Sequence, residues 1–458
     1  MRLALLAAPL TLWLATFHAH ALDGAINIHD PSTVIQCDGK YYVFGTGRGL
    51  PFLVSSNGFD WDRGGHVFDR VPDSVKVYSP SNNGTDVWAP DIIHVNNQYC
   101  LYYAVSSWGS FISAVGLMTS PTLNPGSHDY KWTDRGMVVH SSEGQDLNAI
   151  DPGVCLAPDG TLWLCYGSYH GNIELVQLDP ATGLRLATNS PVTIIANQSE
   201  ASDIIHHGDW FYLFVNHGSC CQGTNSTYNI RVGRAKTITG PYLDRFGDDL
   251  VGGGGNLFLA AQGNDIGPGH FGLLLDDGVE KFSCHYEGVL GRTGRSILDI
   301  RPMLWTADDW PLPGQNLPAG TYQILCQRTG TIISAQTATN ETYTSRPDAG
   351  VKMTRYLSRN NQKWTITPAG HGYYQINNLQ THETLSASST KLQLTSSTAA
   401  PGDDQLWKID GLTDGTYRLA TRKDGSALTA ALKPGSGPGV TLQKFDGDEA
   451  QRWLITAP

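Results

Sequence analysis

The feature that most constrains the fold is a unit of short apolar run, turn and aromatic-rich second run that recurs five times along the chain. The runs are VIQCDGKYYVF, IIHVNNQYCLYY, VCLAPDGTLWLCY, IIHHGDWFYLF and the looser GLLLDDGVEKFSCHY. They follow Asp30-Pro31-Ser32, Ala89-Pro90-Asp91, Asp151-Pro152-Gly153, Glu200-Ala201-Ser202 and Pro268-Gly269-His270. Strand-turn-strand units repeated at roughly 50 to 70 residues are the sequence mark of propeller blades, so the pattern predicts a five-bladed β-propeller. Equivalent positions of blades lie at equivalent radii around the central channel. Asp30, Asp151 and Glu200, aligned at the head of three units, are therefore expected to converge on the axis.

A chain of 458 residues has room for more than one substantial domain. Abundant Gly, Trp and Tyr, with no long amphipathic helical pattern, favour an all-β reading. Residues 1–21 carry one Arg, an apolar stretch and a small-x-small ending at Ala19-His20-Ala21, which reads as a secretory signal cleaved before Leu22. No later segment is apolar for long enough to span a bilayer, and a secreted protein without a membrane partner is expected. The net charge of −11, with no basic run, lacks the electrostatic footprint of a nucleic-acid binder. A neutral polymer is the more natural partner. Eight cysteines in an exported chain allow many pairings, including a vicinal Cys220-Cys221 bridge, and the sequence does not choose among them or free thiols.

The blade pattern ends near residues 300–314, where Pro311-Leu312-Pro313-Gly314 reads as a linker. The division is thus 1–21 leader, 22–314 propeller and 315–458 second domain. Beyond the break, Gly320-Thr321-Tyr322, Gly372-Tyr373-Tyr374 and Gly415-Thr416-Tyr417 each open a unit. Gln362-Lys363-Trp364, Gln405-Leu406-Trp407 and Gln451-Arg452-Trp453 each close one. Three such units resemble the ricin-type β-trefoil, with the repeated Trp expected to fill the shared interior. The resemblance implies an Asp soon after the opening of any sugar-binding unit. The corresponding stretches read IISAQ, TLSAS and ALTAA, without it. The Tyr373-Tyr374 pair is left as an alternative sugar-contacting surface.

Hydrolysis of a glycosidic bond needs a proton for the leaving oxygen and an activated water on the opposite face of the sugar, work for two carboxylates across a cleft. A third carboxylate can raise the acid's pKa by like-charge repulsion. Asp30, Asp151 and Glu200 satisfy that requirement. From about residue 26 to 311 the chain resembles glycoside hydrolase family 43, and within it the endo-acting arabinanases. The strings HDPSTV, VWAPDI, YYAVSSWGS, SAVGLMTSPTL, NAIDPGV, GSY, SEASDI, CCQGTNSTYNIRVGRAKTITGPY, GPGH and IRPMLW carry that resemblance in order. It implies an inverting mechanism with Asp30 as general base, Asp151 tuning and orienting the acid, and Glu200 as general acid. It further implies plant cell-wall arabinan or a related polysaccharide as partner, and a calcium or similar ion near the active centre, contacted by His270 largely through waters. Trp88 is expected to stack on a sugar ring, and Asn148 and Ser168 to hydrogen-bond sugar hydroxyls. Two residues depart from the arabinanase pattern: His170 stands after GSY where a Trp is common, and Phe271 after GPGH where Asn is usual. Internal cleavage of α-1,5-linked L-arabinan is the expected activity. An exo-acting arabinofuranosidase or β-xylosidase of the same family, or a non-catalytic sugar-binding propeller, remains open.

Overall fold

The computed structural model describes residues 22–186, 191–292, 296–336, 350–388, 391–397, 400–433 and 437–458. The expected leader, residues 1–21, lies outside them. Among the described residues no helix is long and apolar enough to cross a membrane.

Five separate sheets follow one another along the chain, as the five repeats predict, antiparallel except where Asp23–Gly24 runs parallel to Asp60–His66 in the first. Their inner strands are Ile35–Cys37, Asp86–Val95, Gly153–Leu156, Glu200–His207 and Asp265–Asp276, and each pairs with the aromatic-rich run that follows it. Alternation places apolar side chains on both faces of these sheets, so each blade must be covered on both sides. The apolar clusters accordingly lie at the seams between blades. Phe44 and Leu101 meet between blades one and two, Leu117 and Leu164 between two and three, and Leu175 and Leu213 between three and four. Phe214 and Phe282 meet between four and five, and Val43 and Leu298 between five and one. The ring is closed at its ends by backbone bonds from Ile28 N to Ser296 O (3.0 Å) and from Leu298 N to Ile26 O (2.8 Å).

The Pro311-Leu312-Pro313 stretch is a strand and not a linker. It is the outermost strand of blade five, paired with Met303–Trp305. Proline is tolerated there because an edge strand can leave its outward N–H positions unused.

The described residues between 320 and 456 form one sheet system around a single core. Trp364, Trp407 and Trp453 are wholly buried. Their indole N–H groups donate to Ile333 O (3.1 Å), Leu385 O (2.9 Å) and Leu428 O (2.9 Å). These carbonyls belong to the IISAQ, TLSAS and ALTAA stretches. The Gln two residues before each Trp holds a neighbouring turn: Gln362 donates to Arg355 O, Gln405 to Ser396 O and Gln451 to Lys444 O. A buried indole satisfied by its neighbour strand, three times over, explains the Gln-x-Trp repeat without any ligand.

The two domains meet across a buried ionic network. Lys281 Nζ of blade five lies 2.7 Å from Asp276 and 2.8 Å from Asp410 of the trefoil, while Arg418 Nη2 reaches Asp410 at 2.8 Å and Lys408 reaches Asp276 at 2.9 Å. Beside it, Phe59 packs against Tyr373, and Gly372 holds φ +73° with the Phe59 ring where a Cβ would stand. Tyr374 is buried and donates to Leu317 O. The Tyr373-Tyr374 pair is therefore part of the domain contact and not a free sugar-contacting surface.

Candidate active site

Four residues at the heads of inner strands adopt left-handed backbone: Asp30 (φ 48°), Asp151 (φ 54°), Ala201 (φ 51°) and His270 (φ 54°). Non-glycine residues rarely accept this conformation, and it clusters where a side chain must be aimed. By this geometry Glu200 sits one residue ahead of the register that Asp30 and Asp151 share. His270, not Pro268, is the fifth blade's equivalent. Ladder irregularities between Glu200 and Asp203 and between Gly269 and Gly272 produce the shift.

The three carboxylates and His270 interact electrostatically with one another. Asp30 is the most heavily partnered. Its Oδ2 accepts from Thr46 Oγ1 at 2.5 Å and pairs with His29 Nδ1 at 2.7 Å, and its Oδ1 lies 3.1 Å from His270 Nδ1. Its backbone N–H donates to His285 Nδ1 at 3.0 Å. Burial alone would raise its pKa, but His29 and His270 outweigh burial and hold the carboxyl well below the usual range. Asp151 accepts from the Ala201 N–H at 3.3 Å. Burial, with the Asp30 charge adding to it, pushes its pKa up to about 6. Glu200 accepts from the Tyr228 phenol at 2.7 Å, and burial together with the Asp151 charge pushes its pKa up to about 8. At neutral pH the site thus holds an ionised Asp30 and a protonated Glu200. Two carboxyls with proton affinities driven apart are what general acid and base chemistry requires.

Asn148 and Ser168 are brought together: Asn148 Nδ2 donates to Ser168 Oγ at 3.3 Å, and Asn148 Oδ1 accepts from Ser113 Oγ at 2.7 Å. Trp88 is half-buried, with its ring 5.3 Å from that of Trp108, which is 79 % exposed. His170 stacks at 3.6 Å on Phe111, also exposed, which replaces the expected Trp by a different flat surface. Phe271 packs at 3.7 Å on Phe214 inside the seam of blades four and five. Its departure from the pattern serves the core.

His270 has a buried Nε2 without a hydrogen-bond partner, while its pKa is pushed up to about 9 because Asp30 overcomes the effect of burial. Beside carboxylates this nitrogen meets an ion's hydration shell as an acceptor only once its proton is lost. It does not make the all-oxygen cage that calcium prefers. The compact groups of potential ligands among the described residues are His29–Cys221–Glu287 and His29–Asp30–His285. All eight cysteines are free thiols.

Sequence reasoning missed His29, Thr46, Tyr228, His285 and Glu287, which surround the carboxylates, and Asp91. The Asp91 carboxylate accepts from Thr33 N at 3.0 Å and Val154 N at 2.9 Å, tying the inner strands of blades one, two and three together. His29 and Asp91 stood in the HDPS and APD strings. Tyr228 stood in the CCQGTNSTYNIRVGRAKTITGPY string, while His285 and Glu287 lie too far along the chain for spacing to reveal them.

A propeller whose axis gathers three carboxyls of staggered proton affinity defines a glycoside hydrolase. The glycosyl hydrolases family 43 model matches residues 25–311, and the chain belongs to that family. The ricin-type beta-trefoil lectin domain-like model matches residues 304–391 and 360–443. The chain is 34% identical over 302 residues, 62% of its length, to the extracellular exo-alpha-(1->5)-L-arabinofuranosidase ArbA of Cellvibrio japonicus, covering 86% of that protein. It is 39% identical over 277 residues, 58% of its length, to the extracellular endo-alpha-(1->5)-L-arabinanase 1 of Bacillus subtilis, covering 83% of it. Among solved structures, the exo-1,5-alpha-L-arabinanase from a bovine ruminal metagenomic library superposes with a TM-score of 0.60 at 39% identity, over 63% of this chain and 97% of that one.

Proposed function

We propose that this chain is an exported, inverting hydrolase that cleaves α-1,5-L-arabinofuranosidic bonds inside arabinan. Asp30 takes a proton from the attacking water, Glu200 protonates the leaving oxygen, and Asp151 keeps Glu200 protonated until substrate arrives. The observation that carries this reading is the separation of proton affinities, with Asp30 held ionised and Glu200 raised to about 8 beside Asp151. In support of the substrate, the matched relatives are named as arabinan-cleaving enzymes, and the arabinanase of Cellvibrio cellulosa, 32% identical, was solved with arabinohexaose. Export is supported by the leader-like residues 1–21 and by relatives named as extracellular.

Trp88 with Trp108, and Phe111 with His170, offer flat faces for furanose rings, while Asn148 and Ser168 offer hydroxyl contacts. Calcium or a similar ion, held by His270 through water, would add positive charge beneath the carboxylates. Incubation with linear arabinan, followed by chromatography of products over time, tests the reading: a ladder of oligosaccharides at early times is expected. Relatives named as exo-acting favour a second reading, for which arabinose or one fixed short product would appear from the start.

A further inference from the structure

The loop that follows the second strand of blade four carries Cys220 and Cys221 to the flank of the catalytic centre. The backbone N–H of Cys221 donates to Glu287 Oε1 at 3.0 Å. That same oxygen lies 3.2 Å from His29 Nε2. The ligand atoms of His29, Cys221 and Glu287 all fall within 4.8 Å of one another. Ligands around a tetrahedral zinc ion at ~2.0 to 2.3 Å sit roughly 3.3 to 3.8 Å apart, so an inward movement of about an ångström closes the set. Glu287 is buried and Cys221 exposed, which gives a fixed floor and an open path of entry. Behind the ring, His29 Nδ1 meets Asp30 Oδ2 at 2.7 Å. A carboxylate on the far nitrogen is the usual support of a metal-binding imidazole, because it fixes the tautomer and aims the other nitrogen at the ion.

The geometry points to His29 Nε2, Cys221 Sγ and a Glu287 carboxylate oxygen as a binding site for a thiophilic divalent cation such as zinc, whose occupation suppresses hydrolysis. Binding releases the proton of the Cys221 thiol and that of His29 Nε2, and water fills the fourth position. The ion then sits one imidazole away from Asp30, and by fixing the His29 ring it fixes the contact that Asp30 Oδ2 makes with His29 Nδ1, so the carboxylate no longer turns to the attacking water. This site is distinct from a calcium-type ion at His270, since the sulfur and imidazole donors select a softer metal. The effect on turnover rests on Asp30 being the general base, whereas the binding does not.

The test uses the full chain, stripped with chelator and kept reduced, titrated with cobalt(II) while thiolate-to-metal charge-transfer absorption is followed. A saturable band with one ion per chain is expected. It should vanish in Cys221→Ser, weaken at least tenfold in affinity in Glu287→Gln and persist in Cys220→Ser. In parallel, zinc should lower hydrolysis of linear arabinan at least tenfold, reversibly with chelator, and leave Cys221→Ser unaffected. Absence of the band, or its persistence in Cys221→Ser, overturns the site. A normal band with undiminished hydrolysis overturns the coupling to Asp30, and a protein that binds metal but cleaves no arabinan overturns the substrate reading alone.

Discussion

The Tyr228 phenol donates a 2.7 Å hydrogen bond to Glu200 Oε1, from the residue just before the third strand of blade four. A donated hydrogen bond favours the ionised carboxylate, so Tyr228 opposes the burial and the Asp151 charge that raise Glu200. Tyr228→Phe should therefore raise the pKa of Glu200 and move the alkaline limb of kcat/KM to higher pH, by about 0.5 to 1 unit. A limb that stays in place or moves down would show that the phenol does not act on the acid.

Asp151 acts in the opposite sense. As pH rises through about 8, Glu200 loses its proton and activity falls, while Asp30, held well below the usual carboxylate range, leaves the base ionised through neutral and mildly acid pH. Removing the negative charge in Asp151→Asn lowers the proton affinity of Glu200, and the alkaline limb should move to lower pH. The pH dependence of kcat/KM in both variants checks the pair of signs.

The acid and base assignments separate by leaving group. Glu200→Gln should lower turnover on arabinan at least about a hundredfold and affect an activated aryl substrate much less, since that substrate needs little protonation. Asp30→Asn should abolish both. Proton NMR of the first product should show inverted anomeric configuration, with base and acid roughly 6.5 to 9.5 Å apart. Retention would sink the mechanism.

At the domain contact, Asp410→Ala leaves Lys281 and Arg418 buried without their shared carboxylate. Loss of one partner from a buried ionic network costs about 3 kcal/mol, and calorimetry should find a correspondingly lower Tm. Truncation after Gly314 removes the same carboxylate. The five blade seams draw on no residue beyond 314, so the isolated propeller should still hydrolyse soluble arabinan, but melt earlier than the full chain.

The blades were legible because each needs an alternating pair of runs and a turn, and the trefoil because its Gln-x-Trp motif repeats at every closing turn. The one-residue offset of Glu200 was not legible, since a bulge changes register without changing the pattern of residue types. His285 and Glu287 were hidden for a topological reason: propeller closure brings them within bonding distance of Asp30 and His29 from about 255 residues away. Tyr373 was left open because an aromatic pair looks the same from sequence whether it meets sugar or Phe59. Pro311-Leu312-Pro313 was misread because proline marks both linkers and edge strands.

The Lys281–Asp410 contact has a further consequence for how the protein meets a wall of polymer. A trefoil on a slack tether would search a sphere around the cleft. Here Asp410 and Arg418 are paired with blade five and Tyr373 packs against Phe59, so swinging the trefoil away breaks these contacts. While those contacts hold, the trefoil's outer face stands at one distance and bearing from Asp30 and Glu200.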